Sequence, residues 1–302
     1  MRSFKFISIV TSALLASTAL ANAADLITME PVPEYVPEVP RVQTVGGWYL
    51  RGDIGYGHAS VNGVTYQFPD STGIVGAYKF DNHELGSAWM LGGGIGYQID
   101  NTFRVDLTTN YYSSMDFKGS SMKSFACGDI SGLMDNDVPG GANYDTCSAN
   151  DTTSFEAATL LANVYVDLGT YAGFTPYIGA GIGGAHVKWG TLNNDISCSG
   201  GDCLSAMFDT DGDTINDTAY DYNTKLDGKH GGQSGWRFAY ALHAGASYDL
   251  SSRLKLDAGY SMTQISGGKM FDFDSAVGSG VQGHNGDITI HSWRAGLRYQ
   301  FD

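Results

Sequence analysis

From Gly46 onward, apolar and polar residues alternate at period two in eight runs, the spacing of β-strands whose successive side chains point to opposite faces. The first sets Trp48, Leu50, Ile54 and Tyr56 against Tyr49, Arg51 and Asp53. The second sets Trp89, Leu91, Ile95, Tyr97 and Ile99 against Met90, glycines and Gln98. The third opposes Phe103, Val105, Leu107 and Tyr111 to Arg104, Asp106, Thr108 and Asn110. In the fourth, Ala158, Leu160, Ala162, Val164, Val166 and Leu168 alternate with Thr159, Leu161, Asn163, Tyr165 and Asp167. The fifth places Pro176, Ile178, Ala180 and Ile182 against Tyr177 and glycines, which leave its upper register open. The sixth runs from Trp236 to Leu250 with Arg237, His243, Ser247 and Asp249 on its second face. The seventh opposes Leu254, Leu256, Ala258, Tyr260 and Met262 to Lys255, Asp257, Ser261 and Thr263. The eighth closes the chain, with Trp293, Leu297, Tyr299 and Phe301 opposite Arg294, Arg298 and Gln300.

These runs span about 10 to 14 residues, longer than the roughly 5 to 6 of an ordinary soluble strand and enough to cross a bilayer at a tilt. Three of the connections are tight, at Asp100-Asn101, Gly169 to Gly173 and Ser251-Ser252. The other four, Ala59 to Gly86, Met115 to Thr153, Gly190 to Gly235 and Gly267 to Asp287, are long and polar and read as loops without a core. Short and long connections alternate, so the long ones gather at one end. The pattern predicts an all-β, eight-stranded antiparallel transmembrane β-barrel over 46–302, with short periplasmic turns and four long extracellular loops. Trp48, Trp89, Phe103, Tyr111, Trp236, Tyr248, Trp293, Tyr299 and Phe301 fall near the ends of the apolar faces, as interfacial girdles require. A soluble lipocalin-like barrel is the alternative, but so many large aromatics turned inward would overfill it.

Arg2 and Lys5 precede an apolar run from Phe6 to Leu20 and the small-residue triplet Ala21-Asn22-Ala23, the layout of a secretory signal over 1–23. The run is too short to span a bilayer as a helix. Residues 24–45 hold Pro31, Pro33, Pro37 and Pro40 and read as an extended periplasmic tether. Losing Arg2 and Lys5 leaves 15 basic against 32 acidic side chains, a formal charge of −17, which argues against a nucleic-acid partner.

Three stretches resemble a family: Gly47 to Gly57 (GWYLRGDIGYG), Thr175 to Ala185 (TPYIGAGIGGA) and His291 to Phe301 (HSWRAGLRYQF). They are similar to the small eight-stranded outer-membrane surface antigens of alphaproteobacteria, related to the opacity-protein and OmpA-like barrels. The resemblance implies a surface protein of the Gram-negative outer membrane, in contact with lipid and lipopolysaccharide. It also implies a terminal aromatic read by the barrel-assembly machinery, although here Asp302 follows Phe301. Members are sometimes described with porin-like or haem-binding activity.

The inward charges form the main candidate site. Arg51, Arg104, Arg237, Arg294 and Arg298 are expected to pair with Asp53, Asp106, Asp167, Asp249 and Asp257 as a hydrogen-bonded plug, because an eight-stranded barrel is too narrow for a free channel. A narrow charged pore is the rival reading. Cys127 with Cys147 and Cys198 with Cys203 are expected to pair within their own loops, although an even count in an exported chain permits three pairings. Asp209, Asp211, Asp213 and Asp217 alternate around a glycine in a possible Ca²⁺ loop, set against the simpler reading of a solvated acidic loop. Thr214 replaces the turn glycine and Tyr220 the bidentate glutamate of a calcium loop. His58, His83, His230 and His284 lie in or beside long connections, where a surface haem or ligand receptor would need them. His243 is placed inside, beside an acid. No nucleophile and base stand at catalytic spacing, so an enzyme is not expected. The sequence therefore predicts a structural and surface-interaction role, with host or environmental surface ligands as partners.

Overall fold

The computed structural model describes residues 46–69, 75–126, 146–198, 206–208, 218–220, 228–273 and 280–301. The signal, the proline-rich segment, Asp209, Asp211, Asp213, Asp217, Cys127, Cys203 and Asp302 lie outside them.

In chain order, β1 (Gly47–Val61) is followed by β2 (Thr65–Pro69), β3 (Val75–Lys79) and β4 (Asn82–Leu85). β5 (Ser87–Gln98), β6 (Phe103–Ala126), β7 (Thr146–Asp167) and β8 (Phe174–Trp189) come next. β9 (Leu192–Cys198), β10 (Ala206–Phe208), β11 (Thr218–Tyr220) and β12 (Gly228–His230) precede β13 (Ser234–Asp249) and β14 (Leu254–Ile265). β15 (Gly268–Asp272), β16 (Val281–Asn285) and β17 (Ile288–Gln300) complete the order.

Eight of these strands, β1, β5, β6, β7, β8, β13, β14 and β17, form a closed antiparallel ring. Closure joins the first strand to the last, from Tyr49↔Gln300 to Val61↔Ile288, and the Phe301 amide donates to the Trp48 carbonyl at 2.8 Å. Closing the ring removes the sheet edges that would otherwise leave backbone groups unpaired in lipid. Outward positions carry exposed Trp48, Leu50, Ile54, Trp89, Leu107, Ile182, Trp236 and Trp293, so the apolar face predicted for each run is the outer face.

The expectation of four coreless loops is overturned. β6 and β7 run far beyond the ring as one hairpin, covering much of the stretch read as the Met115 to Thr153 loop. The cause is legible in the pairing: the β6–β7 register shifts between Tyr112 and Met115. A β-bulge there moves the buried positions from Arg104, Asp106, Thr108, Asn110 and Tyr112 to Met115, Phe117 and Ser121, so the period-two pattern breaks while the strand continues. β9 then joins β7, β12 joins β9 and β4 joins β6, while β15, β16, β2 and β3 form a four-stranded sheet. These elements share an apolar core with the far end of the ring. Trp189 packs on Phe155 (4.7 Å between centroids) and Phe117 (5.7 Å), and Phe80 on Phe117 and Phe271. Val61, Val64, Leu192, Met270, Ile288 and Ile290 fill the space around them.

Candidate functional site

Inside the ring, toward the short-turn end, the inward positions carry ionised and hydroxylated side chains. Arg51 on β1 makes a two-point pair with Asp53, Nε to Oδ2 and Nη2 to Oδ1, both 2.8 Å. Residues two apart on a strand share a face, which makes this pairing local. Its Nη1 reaches across the ring to Asp106 Oδ2 at 3.1 Å and donates to the Tyr165 hydroxyl at 3.3 Å. Asp106 also accepts from the Tyr49 hydroxyl at 3.1 Å and from Asn163 Nδ2 at 2.7 Å. His243 Nε2 lies 3.1 Å from Asn163 Oδ1, and its ring stacks on Tyr165. The acid expected beside His243 is thus an amide.

A second group lies nearer the short-turn mouth. Arg104 Nε is 3.1 Å from Asp167 Oδ1, and its guanidinium sits between the rings of Tyr165 and Tyr177, 4.4 and 4.5 Å from their centroids. Arg298 Nη2 contacts Asp257 Oδ1 at 3.3 Å and donates to Ser247 Oγ at 2.8 Å, while Ser247 donates to Asp257. Arg294 is buried beside Tyr165. Arg51, Arg104, Arg294 and Arg298 thus share the interior with Asp53, Asp106, Asp167 and Asp257, a balanced set of fixed charges. Arg51, Arg104 and Arg298 pair with the four acids, while Arg294 makes no ion pair among the described residues. Burying this many charges without such pairing would be prohibitive.

Two predicted members fall elsewhere. Arg237 lies toward the far end of β13 and donates to Asn285 Oδ1 at 3.0 Å and to the Lys269 carbonyl. Asp249 lies at the opposite end of the same strand, in a partly exposed pair with Lys255 at 2.6 Å. An inward position at a strand end meets the mouth or the far-end sheets, and alternation by itself gives no position along the ring axis.

Sequence reasoning put Tyr49, Asn163, Tyr165 and Tyr177 on the inner face but gave them no role. They are the connectors, and inward glycines on neighbouring strands make room for them. A Cβ at Gly96 would stand 2.3 Å from Tyr49 Cζ, and one at Gly181 1.9 Å from Asn163 Oδ1. That juxtaposition of an inward glycine with a large polar residue on the next strand is a signal that alternation alone does not use.

His58 Nδ1 pairs with Ser87 Oγ at 3.1 Å, and His230 Nδ1 lies 3.2 Å from the Asp272 carbonyl. Among the described residues, no group of three or more His, Cys, Asp or Glu is placed to hold a metal ion.

An antiparallel ring with an apolar outer face and a buried, charge-balanced interior has the build of a membrane-spanning barrel. Residues 10–301 match the family described as the outer membrane protein beta-barrel domain, and the chain belongs to it. It is therefore an integral protein of the outer membrane. An uncharacterised protein of Brucella abortus (strain 2308) is 33% identical over 312 residues, 98% of each chain. Outer membrane protein PagN of Salmonella typhimurium is 27% identical over 71% of this chain and 72% of its own. A Rickettsia bellii protein named as a candidate adhesin is 27% identical over 83% and 87%. Among solved structures, Neisserial surface protein A aligns at 16% identity over 84% of this chain and 97% of its own, with a TM-score of 0.35.

Proposed function

We propose that this protein is a closed outer-membrane barrel that displays a folded β-structured platform at the cell surface for contact with host or environmental ligands. In this reading the short-turn end faces the periplasm, the long connections face outward, and the wall satisfies its backbone groups by closure. Lipid and lipopolysaccharide surround the wall, and the assembly machinery reads β17.

The observation that carries the reading is the filling of the ring. The arginine–aspartate network occupies the short-turn half, and the apolar cluster around Trp189, Phe155 and Phe117 occupies the far half. Buried charges, most of them paired, capped by packed aromatics favour a plug over a conduit, and eight strands leave little room beyond side chains. Surface contact is the role left for such a barrel, and the likeness to a Rickettsia candidate adhesin agrees with it.

Planar-bilayer recording of the refolded protein tests the plug: no stable conductance steps are expected, and large steady steps would replace this reading with a small porin. Adhesion of bacteria displaying the full chain, against the same barrel with the far-end strands replaced by short turns, tests the platform. Equal adhesion by the two would end the surface-contact role.

A further inference from the structure

Two of the four cysteines lie in strands of the far-end module. β9 runs antiparallel to the outer part of β7 in an unbroken ladder from Thr152↔Asn193 to Cys147↔Cys198. We propose that Cys147 and Cys198 form a cross-strand disulfide that fastens β9 to the β6–β7 hairpin.

The placement rests on backbone register. Directly opposed residues of an antiparallel pair have Cα atoms about 4.5 or 5.5 Å apart, inside the roughly 4.4 to 6.8 Å that a disulfide spans. Opposed residues also share one face of the sheet. The register is held close by, where Asp151 stands opposite Asn194 and Asn194 Nδ2 donates to Asp151 Oδ1 at 2.6 Å. On its other side Cys147 stands opposite Phe125 of β6. Among the described residues, Cys198 is thus the cysteine in register with it.

Compartment supplies the chemistry. An outer-membrane protein crosses the oxidising periplasm on its way to the membrane. Each thiol gives up one proton and one electron as the S–S bond forms, and the disulfide of a protein thiol oxidant is reduced to two thiols by exchange. The link closes a loop through the rest of β7, all of β8 and β9, so it holds the module to the ring strands that carry it. It replaces the pairing within each loop that sequence distance suggests.

Peptide mapping decides between them. Protein taken from outer membranes without reductant is alkylated and then cut at Asp and at Lys or Arg. Asp129 to Asp145 separate Cys127 from Cys147, and Asp202 separates Cys198 from Cys203. The expected product is one peptide pair joining 147 to 198. A 127–147 or 198–203 product, or alkylated thiols at both 147 and 198, would overturn the proposal. As a second readout, Cys147→Ser should release Cys198 to a maleimide reagent on folded, membrane-embedded protein, and release of Cys127 in its place would also overturn it.

Discussion

The same wall strands present opposite chemistry to the two halves of the ring interior. On β1, the inward series passes from Tyr49, Arg51 and Asp53 to Ala59 and Val61, and on β17 from Arg298 and Arg294 through Ser292 to Ile290 and Ile288. On β7 it passes from Asp167, Tyr165 and Asn163 to Ala157 and Phe155. The polar half is specified pairwise: each of its four buried carboxylates has an arginine within about 3.3 Å. The far half is specified by volume, through aromatics packed around Trp189, Phe117 edge-to-face and Phe155 tilted. Pairwise specification fails when one partner is lost, because a charge is left buried. Volume specification fails gradually, in proportion to the cavity made.

The largest expected effect breaks a pair. Arg51→Ala strands Asp53 and Asp106 together inside the ring and should cost about 3 to 5 kcal/mol. The urea midpoint of unfolding, followed by heat-modifiable gel migration, reads it. A loss of under about 1 kcal/mol would mean that the polar half is hydrated and not held by its pairs. Phe155→Ala removes a fully buried ring from the far half and should cost about 3 kcal/mol. Its effect should appear first as protease sensitivity beyond the ring, with the ring's gel shift kept. Loss of both together would join the two halves into one cooperative unit.

Gly181→Ala tests the boundary between the two regimes. It keeps every charge but drives a methyl group against Asn163 Oδ1, the atom beside His243. Overpacking of this kind should cost about 2 kcal/mol. Gly235→Ala on β13, where an added Cβ meets nothing within 4 Å, is the matched control and should change little.

How much of this was legible follows from the same contrast. Alternation put Arg51, Asp106, Asn163, Asp257 and Arg298 on the polar face, and all five are buried, because a strand with lipid on one side has no freedom to invert. It misplaced Arg237 and Asp249 within the network, because it carries parity and not height along the ring axis. It lost the outer half of β6 at the bulge after Tyr112, where parity itself changes. It also stopped short on β7, whose buried positions continue without a break from Ala149 to Asp167. There the inward series mixes Ala149, Asp151, Thr153 and Phe155, and a mixed inner face has no contrast with a surface that leaves the membrane.

Asp151, in the outer part of β7 where it pairs with β9, is where the contrast is sharpest, because it is a buried acid with no arginine ion pair among the described residues. It is 1% exposed, its Oδ1 accepts from Asn194 Nδ2 at 2.6 Å, and Ser121 and His230 lie nearby. Burial pushes its carboxyl above the ordinary carboxylate range, and hydrogen bonding only partly opposes the shift. A raised folded value means that the folded state favours the protonated acid. The stabilisation is therefore complete below the ordinary carboxylate value and is lost as pH rises through the folded value. Hydrogen exchange of β7 and β9 amides should accordingly show local protection falling from acid toward neutral pH, after correction for the intrinsic exchange rate. Asp151→Asn keeps the oxygen that Asn194 donates to and removes the charge. It should flatten that dependence and raise local protection at neutral pH by about 1 kcal/mol. If the variant instead lowers protection at neutral pH, Asp151 is ionised and paired, and the far half is no longer set apart from the polar half by how it holds a charge.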